Sequence, residues 1–161
     1  MTNAFTGCEQ AVGDKDFALV EQDLGVTLPE DFKNHYRQFN GGTPEKTVWI
    51  DPEGKWEENE VGSFLPLRYW KTKGNDPDFI IEGITRQDWA AGQLPRNLIP
   101  FATDWGGNYF CIDHVTGKIY FFVRDVWSDN LTNEQNLEAN TRYVTSSLKE
   151  FVDGLELSED E

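Results

Sequence analysis

Apolar residues at the start of the chain recur at helical intervals. Phe17, Val20 and Leu24 fall at i, i+3 and i+7 and predict a helix over Asp14–Leu24. Asp14 is the predicted cap, accepting from the free amides of the first turn. Gly25 stops the helix by entering the left-handed conformation at little cost. A second helix follows at once. Pro29 suits its first position, where a missing amide hydrogen is no loss. Glu30 and Asp31 sit near the positive end of its dipole and Arg37 near the negative end. Phe32, Tyr36 and Phe39 share a face, and Asn40-Gly41-Gly42 ends the helix with residues that tolerate positive φ.

The period then changes from helical to extended. Residues 47–50 and 63–69 predict strands, the second placed at an edge or bulge by Pro66. Residues 76–89 read both ways. Asp76-Pro77 is a good helix start and Phe79, Ile80 and Ile84 have helical spacing, whereas Gly83 weakens a helix. Residues 98–102 predict an apolar strand, followed by the turn Asp104-Trp105-Gly106-Gly107-Asn108. Residues 109–113 and 118–123 predict a hairpin around residues 114–117. Successive residues in both hairpin strands are apolar, so both faces are expected to be covered, as at the centre of a sheet. Ser147 followed by Glu150 is a capping box, and Leu148, Phe151, Val152 and Leu155 give the final helix its apolar face. The segregated order predicts an α+β fold: a single domain over residues 1–155 with a mostly antiparallel or mixed sheet flanked by helices. Residues 156–161 form an acidic tail expected to be flexible.

Composition narrows the functional classes. The 161 residues favour one domain, and 6 Trp, 5 Tyr and 11 Phe are incompatible with an acidic disordered chain. The net charge of −15 repels phosphate, which argues against nucleic acid and anionic membrane as partners; it would attract a basic protein, with solubility alone as the alternative reading. The longest strictly apolar run is residues 119–123, too short to cross a membrane, and no apolar stretch near Met1 resembles a secretion signal. Only Cys8 and Cys111 are present, which fits a reducing cytoplasm.

The chemistry is sparse. His35 and His114 lack a second ligand at metal spacing, and His114 beside Asp113 reads as a hairpin-turn residue. Cys111 lies within an apolar strand, and Cys8 has no histidine nearby in sequence. Neither a nucleophile elbow nor a glycine-rich phosphate loop occurs. No catalytic, cofactor-binding or metal residue is therefore assigned, and no cofactor is expected. One pattern stands apart: acids interleaved with tryptophan. Asp51, Glu53, Glu57, Glu58 and Glu60 accompany Trp49 and Trp56, and Asp104 precedes Trp105. Trp is enriched at binding hot spots, so these nine residues form a candidate partner surface. The alternatives are a solvated loop and a Trp covering a sheet edge.

Taken in order, the motifs resemble the SUKH superfamily, in its Smi/Knr-type branch. Phe17-x-x-x-Glu21, then Leu24-Gly25-x-x-Leu28-Pro29-x-x-Phe32, resembles the opening helix pair of that family. Phe39-Asn40-Gly41-Gly42 resembles its Asn-Gly-Gly signature. Leu94-Pro95-x-x-Leu98-Ile99-Pro100-Phe101-Ala102-x-Asp104 resembles the strand entering its sheet. Gly106-Gly107-Asn108 with Asp113, then Gly117-x-Ile119-Tyr120, resembles its hairpin, and Ser147-Leu148-x-x-Phe151 its final helix. The motifs leave residues 43–93 uncovered.

The resemblance implies an α+β fold and a non-enzymatic role. Most bacterial members look like cytoplasmic immunity proteins that bind and neutralise a cognate polymorphic toxin, often a nuclease. A basic nuclease-type domain would suit the charge, with its active site or an adjacent exosite blocked. The alternative is an intracellular scaffold or regulator without a toxin partner, as for the fungal member. The expected state is a monomer or weak homodimer.

Overall fold

The computed structural model describes residues 3–70 and 78–159. The elements run β1 (Phe5–Thr6), α1 (Asp14–Leu24), α2 (Glu30–Gln38), β2 (Thr43–Pro44), β3 (Val48–Trp49), β4 (Asn59–Phe64) and α3 (Ile81–Ala90). They continue β5 (Leu98–Asp104), β6 (Tyr109–Asp113), β7 (Ile119–Phe122), α4 (Asn133–Ala139), β8 (Thr141–Thr145) and α5 (Leu148–Gly154). One curled sheet has the order β3-β4-β5-β6-β7-β8, with every pairing antiparallel, and β1 and β2 form a separate two-stranded sheet. The fold is a single α+β domain. Among the described residues no helix is long and apolar enough to cross a membrane.

The opening helix pair forms as its pattern predicts, with one change of cap. Gly13 precedes α1, and the Asp16 carboxylate accepts from the Gly13 amide at 3.0 Å. Asp14, the predicted cap, instead accepts from Arg37 of α2 at 2.9 Å. An extended Gly13 leaves its own amide free to bond, and only a residue three positions on can fold back to it. Gly25 does close α1, with φ 69° and its amide on the Glu21 carbonyl. Pro29 stands just before α2 rather than at its first position.

The Asn-Gly-Gly stop has a tertiary purpose. Buried Asn40 donates to the carbonyls of Gln10 (2.8 Å) and Leu67 (2.9 Å) and accepts from the Leu67 amide (2.7 Å). Gly41 and Gly42 both have positive φ, and a Cβ on Gly42 would stand 2.7 Å from the Thr6 carbonyl oxygen. That close approach lets the chain lie against the end of β1 as it enters β2.

The hairpin β6–β7 lies inside the sheet, and all five residues of β6 are buried. On one face Phe151 of α5 packs on Phe110 and Phe101, with ring centroids 5.1 and 5.7 Å apart. On the other face Tyr109 donates to Asp88 of α3 at 3.0 Å. Both faces are covered, as the unbroken apolar runs required, and the structure places a helix on each.

The middle of the chain corrects the sequence reading. The strand expected over residues 63–69 lies earlier, at Asn59–Phe64, one place in from the β3 edge. Its irregularity falls between Val61 and Ser63, and Pro66 lies beyond the strand, where its carbonyl accepts from Ile81 at the start of α3. The ambiguous segment is helical from Ile81, while Asp76-Pro77 lies outside the described residues. Four elements had no predicted counterpart: the short strands β1 and β2, then α4 and β8. α4 opens with a complete capping box, Thr132 and Gln135 bonding each other's backbone amides. The final box is half made: Ser147 accepts from the Glu150 amide, but the Glu150 carboxylate turns to the hydroxyls of Ser146 and Thr145. Glu156, the first residue of the acidic tail, pairs with Val48 of β3.

Candidate protein-interaction surface

The strand registers bring three loops to one end of the sheet. Trp49 pairs with Asn59, Val61 with Asp104, Thr103 with Tyr109, Tyr109 with Phe122, and Phe122 with Thr141. Residues 50–58, 105–108 and 123–132 therefore leave from the same end. Of the ten exposed large apolar side chains among the described residues, six are in these loops: Ile50, Trp56, Trp105, Val126, Trp127 and Leu131. Single exposed apolar residues are ordinary, but a concentration of them marks an interaction surface.

The nine residues chosen from sequence divide into two groups. Four serve the fold. Trp49 lies against Phe151 with centroids 5.5 Å apart, over Gly154, where an added Cβ would come 2.7 Å from the indole. The Asp51 carboxylate accepts from the amides of Glu53 (3.1 Å), Lys55 (2.9 Å) and Trp56 (3.0 Å). These bonds, that of Glu53 foremost, hold Asp51 below the usual carboxylate range. Glu60 accepts from the Thr47 hydroxyl at 2.8 Å within the β3–β4 ladder. Asp104 accepts from the amides of Gly106 (2.9 Å) and Asn108 (2.8 Å) and from the Asn108 side chain (3.1 Å).

The other five face solvent. Glu53, Glu57 and Glu58 are exposed and have no ion pair among the described residues. Trp56 is exposed on one side, with the Arg142 guanidinium 4.6 Å from its ring centroid on β8. Trp105 is 76% exposed, the most open large apolar side chain described. The acids of the first group thus shape the loops that display the second.

A third loop belongs to the same surface and was missed. Val126, Trp127 and Leu131 are held by two buried asparagines of the α4 region. Asn136 accepts from the Ser128 amide (2.8 Å) and donates to the Ser128 carbonyl (2.9 Å), while Asn140 donates to the Val126 carbonyl. Arg124 joins this loop to the Trp105 turn by donating from its guanidinium to the Gly107 carbonyl (3.1 Å) and from its backbone amide to the Asn108 side-chain oxygen (2.8 Å). The missed signal is the same interleaving of acid and tryptophan, in Asp125-Val126-Trp127-Ser128-Asp129.

Elsewhere the polar chemistry is structural. His114 bonds the Arg96 carbonyl, and Asp113 accepts from the Val115 and Thr116 amides to close the hairpin turn. Cys8 and Cys111 are free thiols, each raised above the usual range by burial first. No group of three potential metal ligands occurs among the described residues.

A model of the SMI1 / KNR4 family (SUKH-1) matches residues 11–154. The chain belongs to that family. The SUKH-1 match runs through residues 43–93, which the motifs left uncovered, so the loop after β3 and helix α3 lie inside the family domain. This SUKH-1 chain is also similar to the SPbeta prophage-derived uncharacterized protein YokK of Bacillus subtilis (strain 168). The identity is 26% over 146 residues, covering 83% of this chain and 69% of that protein.

Proposed function

We propose that this SUKH-1 protein is a cytoplasmic immunity protein, acting by binding rather than catalysis, that neutralises a cognate toxin carrying a basic, nuclease-type domain. The observation that carries the reading is the sheet end itself. Exposed Trp56, Trp105 and Trp127 stand together with the acids Glu53, Glu57, Glu58, Asp125 and Asp129 in a chain of net charge −15. Aromatic anchors supply desolvated contact area, and surplus carboxylates attract a cleft built to hold phosphate. Charge complementarity of this kind raises the association rate and suppresses wrong partners. Either the toxin's active site or a neighbouring exosite is covered.

The test is affinity capture from the native host at low and high salt. A single stoichiometric partner with a basic toxin domain, partly released by salt, is the expected result. A spread of substoichiometric housekeeping proteins would instead favour a scaffold. With the partner in hand, Glu57→Lys/Glu58→Lys is expected to slow association at least tenfold at low salt, and an unchanged rate removes that loop from the interface.

A further inference from the structure

The two edges of the main sheet are finished differently. At the β3 edge the chain returns after α5, and Glu156 exchanges backbone bonds with Val48 (2.9 and 2.8 Å) and accepts from Thr47 (3.0 Å). At the β8 edge nothing comparable happens. β8 is five residues long, none of them buried, and among the described residues its backbone makes no bond beyond the β7 ladder. An edge strand left this way is a template for another strand.

Beside that edge lies a cleft of about 460 Å³ between the loop after β3 and β8, walled by Trp56 and Tyr143. Two cations reach into this region, and aromatic rings engage both. Arg142 lies between Trp56 (4.6 Å) and Phe121 (5.4 Å), and Lys55 lies 5.3 Å from the Trp56 centroid. The neighbouring carboxylates of Glu53, Glu57 and Glu58 have no such engagement and face solvent. Three carboxylates against two cations leave the rim with surplus negative charge beside an open strand.

We propose that β8 takes up an extended, basic segment of the partner protein as a seventh, edge-added strand, with Trp56 and Tyr143 packing on its side chains. This rests on the partner-binding reading above and specifies its mode. Main-chain bonds along an edge give affinity, and pockets for alternate side chains give specificity. A second copy of this chain is a poorer occupant, because it would bring another −15 to the same rim.

The test uses two nine-residue capped peptides, one alternating lysine with valine and one alternating glutamate with valine, with amide exchange of the intact protein followed by NMR. The lysine peptide is expected to slow exchange in residues 141–145 at least tenfold, leave β3 unchanged, and lose its effect when alternate peptide amides are N-methylated. Trp56→Ala is expected to weaken this peptide about tenfold while the amide spectrum stays folded. Three results would overturn the proposal: no slowing at millimolar lysine peptide, equal slowing by the glutamate peptide, or concentration-dependent slowing without peptide, which assigns the edge to a second copy. A captured toxin that leaves residues 141–145 unprotected would overturn strand addition and leave the immunity reading intact. Peptide protection with no toxin captured would do the reverse.

Discussion

The helix pair with its Asn-Gly-Gly stop and the loops at the sheet end use polar side chains in opposite ways. Around α2 the polar groups point inward and join distant segments. Asn40 ties residue 10 to residue 67, and the Tyr36 hydroxyl donates to the carbonyls of Leu65 (2.8 Å) and Phe101 (3.2 Å). At the sheet end Asp51 and Asp104 bond mainly to their own loops, within five residues. A buried bond between distant segments fails only when the fold opens, whereas a local one shapes a loop that leaves its aromatic rings outside. The first region therefore carries stability, and the second is the surface proposed for recognition.

Four tests sharpen that contrast. The largest effect is expected from Asn40→Ala, which strands the buried amide and carbonyl of Leu67. A loss of about 3–4 kcal/mol is expected, read as a lower urea midpoint at unchanged slope. A loss under 1 kcal/mol would show that water replaces the side chain and that the region is no keystone.

Next comes acid. His35 stands among Phe5, Tyr36, Phe39 and Phe64, with ring centroids 5.0 to 5.7 Å away, and its Nε2 is buried without a partner. Burial lowers its pKa from 6.5 to about 4. Between those values the unfolded chain binds a proton that the folded one does not. The neutral ring's contribution is whole above about pH 6.5 and is lost as pH falls toward 4. Going from pH 7 to 4.5 is expected to cost about 2–3 kcal/mol more in the wild type than in His35→Phe. Equal losses would mean that the imidazole is protonated inside the fold.

Asn136→Ala tests the boundary between the two regions. Asn136 is buried at 3% exposure, yet its partners are the Ser128 backbone and the first turn of α4. A loss of about 1–2 kcal/mol is expected. Exchange of amides in residues 126–131 is expected to speed up by more than global unfolding allows. Uniform acceleration across the sheet would make the clamp part of the core.

The smallest effect on stability is expected from Trp105→Ala and Trp127→Ala, about 0.5 kcal/mol or less each by thermal denaturation. The same pair is expected to weaken partner binding at least tenfold. A large loss of stability at Trp105 would return it to the alternative of a tryptophan covering the sheet edge.

Elements whose partners lie close in sequence were legible. The apolar period of α1 and α2, the glycine stops and the β6–β7 hairpin each rest on interactions within about ten residues. The misplacement of the strand expected at 63–69 has a tertiary cause. Leu65 and Leu67 are apolar like strand residues, but their backbones bond across to Phe101 and Asn40 beyond the end of β4. β8 was hidden because the edge leaves TRYVT half exposed, without the alternation that marks a half-buried strand.

The candidate surface was legible as a composition and not as a place. The interleaving of acids and tryptophans pointed to residues 49–60 and 104–105, but only the fold separates Trp49, which is packed on Phe151, from Trp56, which is open to solvent. The sequence by itself determined the family, the α+β class, the acidic character and the positions of α1, α2, α5 and the β6–β7 hairpin, because local period, caps and turns act over a few residues. Tertiary structure alone decided that three loops share one end of the sheet, that Trp127 joins them, and that β8 rather than β3 is the open edge. Those facts depend on strand order and register, which are set by contacts between segments as much as a hundred residues apart, as where Glu156 meets Val48.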